Sequence, residues 1–346
     1  MSSAPTQHSD VSSTPVSSTP AGRGRLRAYM ALTRLDRPIG ILLLMWPMLW
    51  ALWFAADGIP SIKVLVIFVL GTILTRSAGC AINDYADRNF DAHVSRTNNR
   101  PLATGEIKAF EALVIAAVLM LLAFALVLQT NTLTIQLSVV ALVLAAVYPF
   151  AKRYTHLPQV VLGLAFSWAI PMAYAAQSNQ LNRITWLVFV ASVLWAVAYD
   201  TVYAMADRDD DRKIGIKSTA ILFGDADIFM VGIIHIMVLM TLILTGQLLQ
   251  LGLIYYAGLV IAACMMVYQL IIIRKRQPEG CIRAFLNNHY LGMTVFIAIV
   301  LDYLFSHPGL SLIATQFDSN ASLPACTLSA SHLDLPRGCT AWLSPA

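Results

Sequence analysis

The 346-residue sequence is 58% hydrophobic and only 12% charged, with a mean hydropathy of +0.68. Such a chain keeps its backbone polar groups satisfied within helices while its side chains face lipid, which excludes the two soluble domains that length alone suggests. The net charge of +4 is no nucleic-acid footprint, and where the basic residues fall is more informative than their sum.

Residues 1–24 are rich in Ser, Thr and Pro, hold too little apolar surface to form a core, and are expected to be a disordered tail without the apolar region of a signal peptide. Nine apolar spans follow, over residues 39–56, 64–82, 112–128, 133–150, 160–176, 184–206, 228–248, 251–273 and 290–305. Several are near the minimum length for a bilayer, which leaves little room for tilt. Pro47 and Pro171 fall inside spans and are expected to kink them. Trp46, Trp50 and Trp53 form a helical stripe, read as a lipid-facing or packing surface rather than a cofactor box. His235, Gln269 and Asp302 read as interhelical hydrogen-bonding groups or end-of-span charges. Residues 306–346 hold no span-length apolar run and form a tail. With nine spans it lies outside the cytoplasm, where Cys326 and Cys339 either pair or stay idle thiols. The other three cysteines, Cys80, Cys264 and Cys281, read as packing, and no metal-ligand spacing joins the five.

Orientation follows from the basic residues. With the N-terminus in the cytoplasm, the connections after the second, fourth, sixth and eighth spans share its side. Of the 23 Lys and Arg residues, 20 then lie toward that side, and only Lys63, Arg183 and Arg337 do not. The positive-inside rule decides the matter.

Two acid-bearing stretches sit where an apolar run gives way to polar residues, and both land on the cytoplasmic side. If the preceding helix continues, Asn83, Asp87 and Asp91 follow an i, i+4, i+8 spacing on one face, and Tyr203, Asp207 and Asp211 repeat it. Facing rows of carboxylates repel unless cations lie between them. Carboxylate oxygens are hard ligands, and Mg²⁺ held by one or two of them completes its shell with water and phosphate oxygens. The pair reads as a site for Mg²⁺ and a diphosphate. Solvated charges at helix ends are the bland alternative, weakened by the shared spacing. Cations interleave with the acids, Arg96 and Arg100 in one loop, Arg212, Lys213 and Lys217 in the other. Lys152 and Arg153, after the fourth span, either hold diphosphate oxygens or are ordinary positive-inside charges. A transporter with acid-lined gates is the competing class. It calls for internal repeats and acids near the bilayer midplane, whereas these acids cluster at one end.

Four segments carry a resemblance: Arg37-Pro38-Ile39-Gly40; Gly79 to Asp87, continuing to Asn99-Arg100-Pro101-Leu102; Tyr148 to Gln159; and Ala198-Tyr199-Asp200 to Ala220. Together they make the chain resemble the UbiA superfamily of intramembrane prenyltransferases, most closely its members acting on 4-hydroxybenzoate, over about residues 25–305. The resemblance implies an all-α polytopic membrane protein, nine transmembrane helices around a central cavity with cytoplasmic cap loops. It implies transfer of a polyprenyl group from polyprenyl diphosphate to the ring of 4-hydroxybenzoate, ortho to the hydroxyl, in ubiquinone synthesis at the bacterial inner membrane. Another aromatic acceptor is the alternative within the family.

The matching motif positions imply Asn83, Asp87, Asp91, Asp207 and Asp211 as Mg²⁺ ligands, the four aspartates being catalytic together with Arg153. Tyr148, Lys152, Arg153 and Tyr203 match diphosphate-side positions, and Lys213, in the second motif, is expected to bind substrate as well. The acceptor's carboxylate calls for a cation of its own; Arg153 is the first expectation and Arg37 the second, for the planar guanidinium grips a carboxylate in bidentate fashion. Asp84 and Asp200 lie within the motifs without an assigned role. Oligomeric state and prenyl chain length are left open.

Overall fold

The computed structural model describes residues 24–91, 99–213 and 215–306, apart from the side chains of residues 89–91, 149–150, 152–153 and 306. The expectations for the two tails, for Cys326 and Cys339, and for the side chains of Asp91, Lys152 and Arg153 lie outside the described residues.

Twelve α-helices and no strand make up the described residues: α1 (Arg25–Leu32), α2 (Ile39–Ala56), α3 (Ile62–Asp91), α4 (Ala109–Val127), α5 (Thr132–Tyr154), α6 (Pro158–Ser167), α7 (Ala169–Ser178), α8 (Arg183–Lys213), α9 (Thr219–Phe223), α10 (Asp227–Leu248), α11 (Leu253–Ile273) and α12 (Pro278–Ser306). Eight stretches are long and apolar enough to cross a membrane, and α5 adds a shorter one, Thr132–Tyr148. Each predicted span coincides with one of these, the fifth being the pair α6–α7.

The boundaries differ where polar residues hide helix. α3 and α8 run on through their acidic stretches, to 30 and 31 residues. α12 starts at Pro278 rather than residue 290, because Glu279, Arg283, Asn287, Asn288 and His289 dilute an apolar signal that Cys281 and Ala284 nevertheless bury. The kink expected at Pro171 appears as a break at Trp168, which leaves Pro171 in the first turn of α7, where proline is tolerated. α2 continues through Pro47.

The spanning helices form a ring in chain order, each packing on the next, and α12 closes it against α2. α3 and α8 do not pack side by side; α2, α6 and α7 lie between them. The tryptophan stripe of α2 packs inward. Trp50 is fully buried, stacks on Trp195 of α8 at 5.5 Å and donates from Nε1 to the carbonyl of Gly292 at 3.1 Å. Gly292 has to be glycine in this packing, since a Cβ there comes 2.7 Å from atoms of both Trp195 and Trp46. Trp46 donates to His289 Nδ1 at 3.1 Å, and Trp53 meets Phe296 edge-on. A smaller core of Ala28, Leu32, Ala81, Ile107, Ala112 and Ala116 seats α1 on α3 and α4. Gln269 donates to Asn287 at 2.9 Å as an interhelical bond, and Asp302 accepts the N–H groups of Gly252 and Tyr255, capping α11. Cys80 and Cys281 are buried, while Cys264 is exposed on α11.

Candidate active site

Because α3 is continuous, Asn83 and Asp87 share a face, both half-buried, with the backbone of Asp91 closing the helix one turn later. On α8, Tyr203, Asp207 and Asp211 are half-buried on one face, while Asp209 and Asp210 point to solvent. Asp200 lies seven residues before Asp207 and continues the stripe inward.

Electrostatic contacts bring these elements to one place. Asp200 is within reach of Asp207 and of Arg76 from α3. Tyr148 from α5 is within reach of Asp200, Arg76 and Asp87, and Tyr199 is within reach of Asp200, Arg76 and Tyr148. Tyr203 packs its ring on Phe285 of α12 at 4.7 Å. Three helices therefore converge: α3 with Arg76 and Asp87, α5 with Tyr148, and α8 with Asp200 and Asp207.

Arg76 is the residue that sequence reasoning used only to count charge. Its guanidinium lies over the ring of Phe166, 5.1 Å from the centroid. Gly40 at the start of α2 makes room for it: a Cβ there comes 2.7 Å from Nε and from Nη2. Nε is buried and has no hydrogen-bond partner. An arginine inside a predicted span is the signal that marks it out, because such a charge is costly unless it serves a partner.

Other expected residues sit elsewhere. Asp84 is buried and ion-paired with Arg34 at 3.2 Å and Arg100 at 3.1 Å, fastening the α1–α2 turn and the α3–α4 connection to α3. Arg37 is exposed, 4.0 Å from Asp36. Lys213 is exposed and pairs with Asp210 at 3.1 Å. The connection after α8 is latched by buried polar groups: Thr219 donates its N–H to Gln159 at 3.0 Å, and the hydroxyls of Thr201 and Thr219 are 2.7 Å apart.

Among the described residues, no three His, Cys, Asp or Glu side chains form a ready-made metal cage. The donor set nonetheless fits Mg²⁺. It consists of hard oxygens, contributed by two separate helices, and an ion that keeps one or two carboxylates and takes the rest of its shell from water and phosphate needs no closed cage.

The sequence matches the UbiA prenyltransferase family model over residues 44–299. The chain belongs to the UbiA family. A relative called 4-hydroxybenzoate octaprenyltransferase from Aeromonas hydrophila is 58% identical over 277 residues, which cover 80% of this chain and 96% of the relative. One of the same description from Pseudomonas aeruginosa is 56% identical over 275 residues, covering 80% and 93%. A UbiA homologue from Aeropyrum pernix superposes with a TM-score of 0.68 at 23% identity, over 75% of this chain and 97% of that one. A UbiA homologue from Archaeoglobus fulgidus, solved with GPP and Mg²⁺, gives 0.60 at 18%, over 79% and 99%. These two show the shared UbiA fold. Within the UbiA match fall both acidic stretches, Arg76 and Tyr148.

Proposed function

We propose that this chain transfers a polyprenyl group from polyprenyl diphosphate to 4-hydroxybenzoate, at the ring carbon ortho to the hydroxyl, releasing diphosphate in ubiquinone biosynthesis. The identity of 56–59% to proteins called 4-hydroxybenzoate octaprenyltransferase supports this reading and makes an octaprenyl donor the first to try. The observation that carries it is the meeting of Arg76 and Tyr148 with the acidic faces of α3 and α8.

The bond from the allylic carbon to the diphosphate oxygen breaks, a bond from that carbon to the ring forms, and the ring carbon loses its proton. Asn83, Asp87 and Asp91 on one helix and Asp207 and Asp211 on the other would hold Mg²⁺, which when bound would supply positive charge to the departing diphosphate. Lys152 and Arg153 take diphosphate oxygens that lie beyond those ligands. Tyr148 and Tyr203 offer ring faces to the allylic cation, and the surrounding helices keep water from it. Asp200 accepts the proton lost by the ring.

Arg76 holds the acceptor's carboxylate. The expectation favoured Arg153, then Arg37; Arg37 is solvent-exposed, whereas Arg76 has a buried N–H without a partner and lies within electrostatic range of Asp200. The acidic end faces the cytoplasm of the bacterial inner membrane, a reading supported by the 20 of 23 basic residues that lie toward it.

The test uses membranes carrying the chain, Mg²⁺, labelled 4-hydroxybenzoate and a series of polyprenyl diphosphates. The expected product is 3-polyprenyl-4-hydroxybenzoate. Prenylation of other phenolic acids with none of this one would overturn the assignment of acceptor. Arg76→Ala should raise KM for 4-hydroxybenzoate by about tenfold to a hundredfold and leave KM for the donor within about threefold; the opposite split would assign Arg76 to the diphosphate instead.

A further inference from the structure

The charged end of α8 has a fastening that the reaction does not use. Residues 207–213 are all charged, so no apolar side chain there can lock the roll of the helix. Arg208 turns inward instead. Its side chain is 12% exposed, and its Nη2 pairs with the carboxylate of Asp227, at the start of α10, which is 0% exposed. Asp227 also accepts Nη2 of Arg276 at 2.9 Å and Nε at 3.2 Å, from the turn between α11 and α12. Nη2 of Arg276 donates further to the carbonyl of Asp225 at 2.8 Å, and the Ile228 N–H reaches Asp227 Oδ1 at 2.7 Å. Arg276 has a φ of 51°, a backbone state that an arginine keeps when its surroundings over-determine it. One buried carboxylate thus ties the end of α8 to α10 and to the α11–α12 turn.

Arg208 directly follows Asp207, about 100° further round the helix. Holding one therefore fixes the direction of the other, and of Asp211 four residues on. We propose that Asp227 is a positioning residue: by clasping Arg208 it sets the roll of the last turns of α8 and so the aim of Asp207 and Asp211. The inference rests on reading those two aspartates as cation ligands.

The experiment uses the full chain, purified in detergent, with Mn²⁺ alone as probe; binding is followed by the loss of the free-ion EPR signal, with melting and circular dichroism alongside. Asp227→Asn and Arg208→Gln should each weaken Mn²⁺ binding by about tenfold or more, the range seen when a partner that orients a metal ligand is lost. The combined variant should be no worse than the weaker-binding single one, because both act as one unit. Arg276→Gln keeps the Arg208–Asp227 pair and should stay within about twofold of the parent. A lower melting temperature with unchanged Mn²⁺ affinity in Asp227→Asn would overturn the inference, as would an equal loss in Arg276→Gln. If Asp227→Asn does not fold, Arg208→Lys serves: it keeps the charge but loses the planar fork, and should weaken Mn²⁺ by about threefold; no change would overturn the proposal. Asp207→Ala separates the two readings. If it leaves Mn²⁺ binding unchanged, the ligand reading itself fails; if it weakens binding and Asp227→Asn does not, only the positioning role fails.

Discussion

The acidic ends of α3 and α8 are fastened by opposite means. On α3 the pinned residue is an acid: Asp84, beside Asn83, is gripped by Arg34 and Arg100 from other parts of the chain. On α8 it is a base: Arg208, beside Asp207, is gripped by Asp227, which Arg276 grips in turn. In each case the fastened side chain is the immediate neighbour of a candidate ligand, a quarter-turn or so away. On the proposed function the candidate ligands would exchange partners with substrate, which leaves the neighbour to hold the helix end. The sign of the fastening is set by what the surrounding segments supply, not by the chemistry of the site.

This contrast between ligand and neighbour can be broken from the ligand side first. Asp87→Ala or Asp207→Ala should cut turnover by about a thousandfold or more in protein that still inserts normally, because charge on the leaving group is then left uncompensated. EDTA should silence the parent and added Mg²⁺ restore it; near-full turnover in either variant at saturating Mg²⁺ would end the shared-metal reading. The neighbour should behave differently. Asp84→Asn leaves two guanidinium groups without their carboxylate and should cost about 3 kcal/mol of stability, read as a lower melting temperature in detergent. Turnover per folded molecule should fall much less than in Asp87→Ala, and an equal fall would erase the distinction.

Smaller effects sharpen it further. Gly40→Ala pushes a methyl group against the Arg76 guanidinium, whose Nε and Nη2 it would meet at 2.7 Å. KM for the acceptor should rise by about fivefold with little change in melting temperature, since a long side chain can shift by a few tenths of an ångström; an unchanged KM would mean that Arg76 does not touch the acceptor. The smallest effect is expected at the far end of the chain. Removing residues 307–346, which carry no motif of the site, should leave turnover as it was, and a well-inserted truncation that lost activity would give the tail a role.

Apolar runs of the right length made the spanning helices legible, and the i, i+4 spacing of Asn83, Asp87, Asp207 and Asp211 made the acidic faces legible, because both patterns are local. What stayed hidden was paired over distance. Arg208 and Asp227 are 19 residues apart, Arg276 and Asp227 are 49 apart, and Arg34 and Asp84 are 50 apart. Nothing in the neighbourhood of either partner announces the other. Arg76 was visible as an intramembrane charge, but its value depends on Gly40 and Phe166, which reach it from α2 and α6. The first turns of α12 are hidden because Glu279, Arg283, Asn287, Asn288 and His289 pull the local hydropathy down around the buried Cys281 and Ala284.

At 30 and 31 residues, α3 and α8 are about 45 Å long, against roughly 30 Å for the hydrocarbon of a bilayer. Their apolar runs, residues 64–82 and 184–206, lie away from the acidic ends, so the surplus length falls at the acidic end. On the proposed function, the donor would bring its headgroup to the carboxylates while its tail stays dissolved among the lipids, and no step would need to lift it into water. Its availability is then a matter of two dimensions: at fixed total donor, adding inert lipid should dilute the substrate and slow turnover, whereas adding buffer should not.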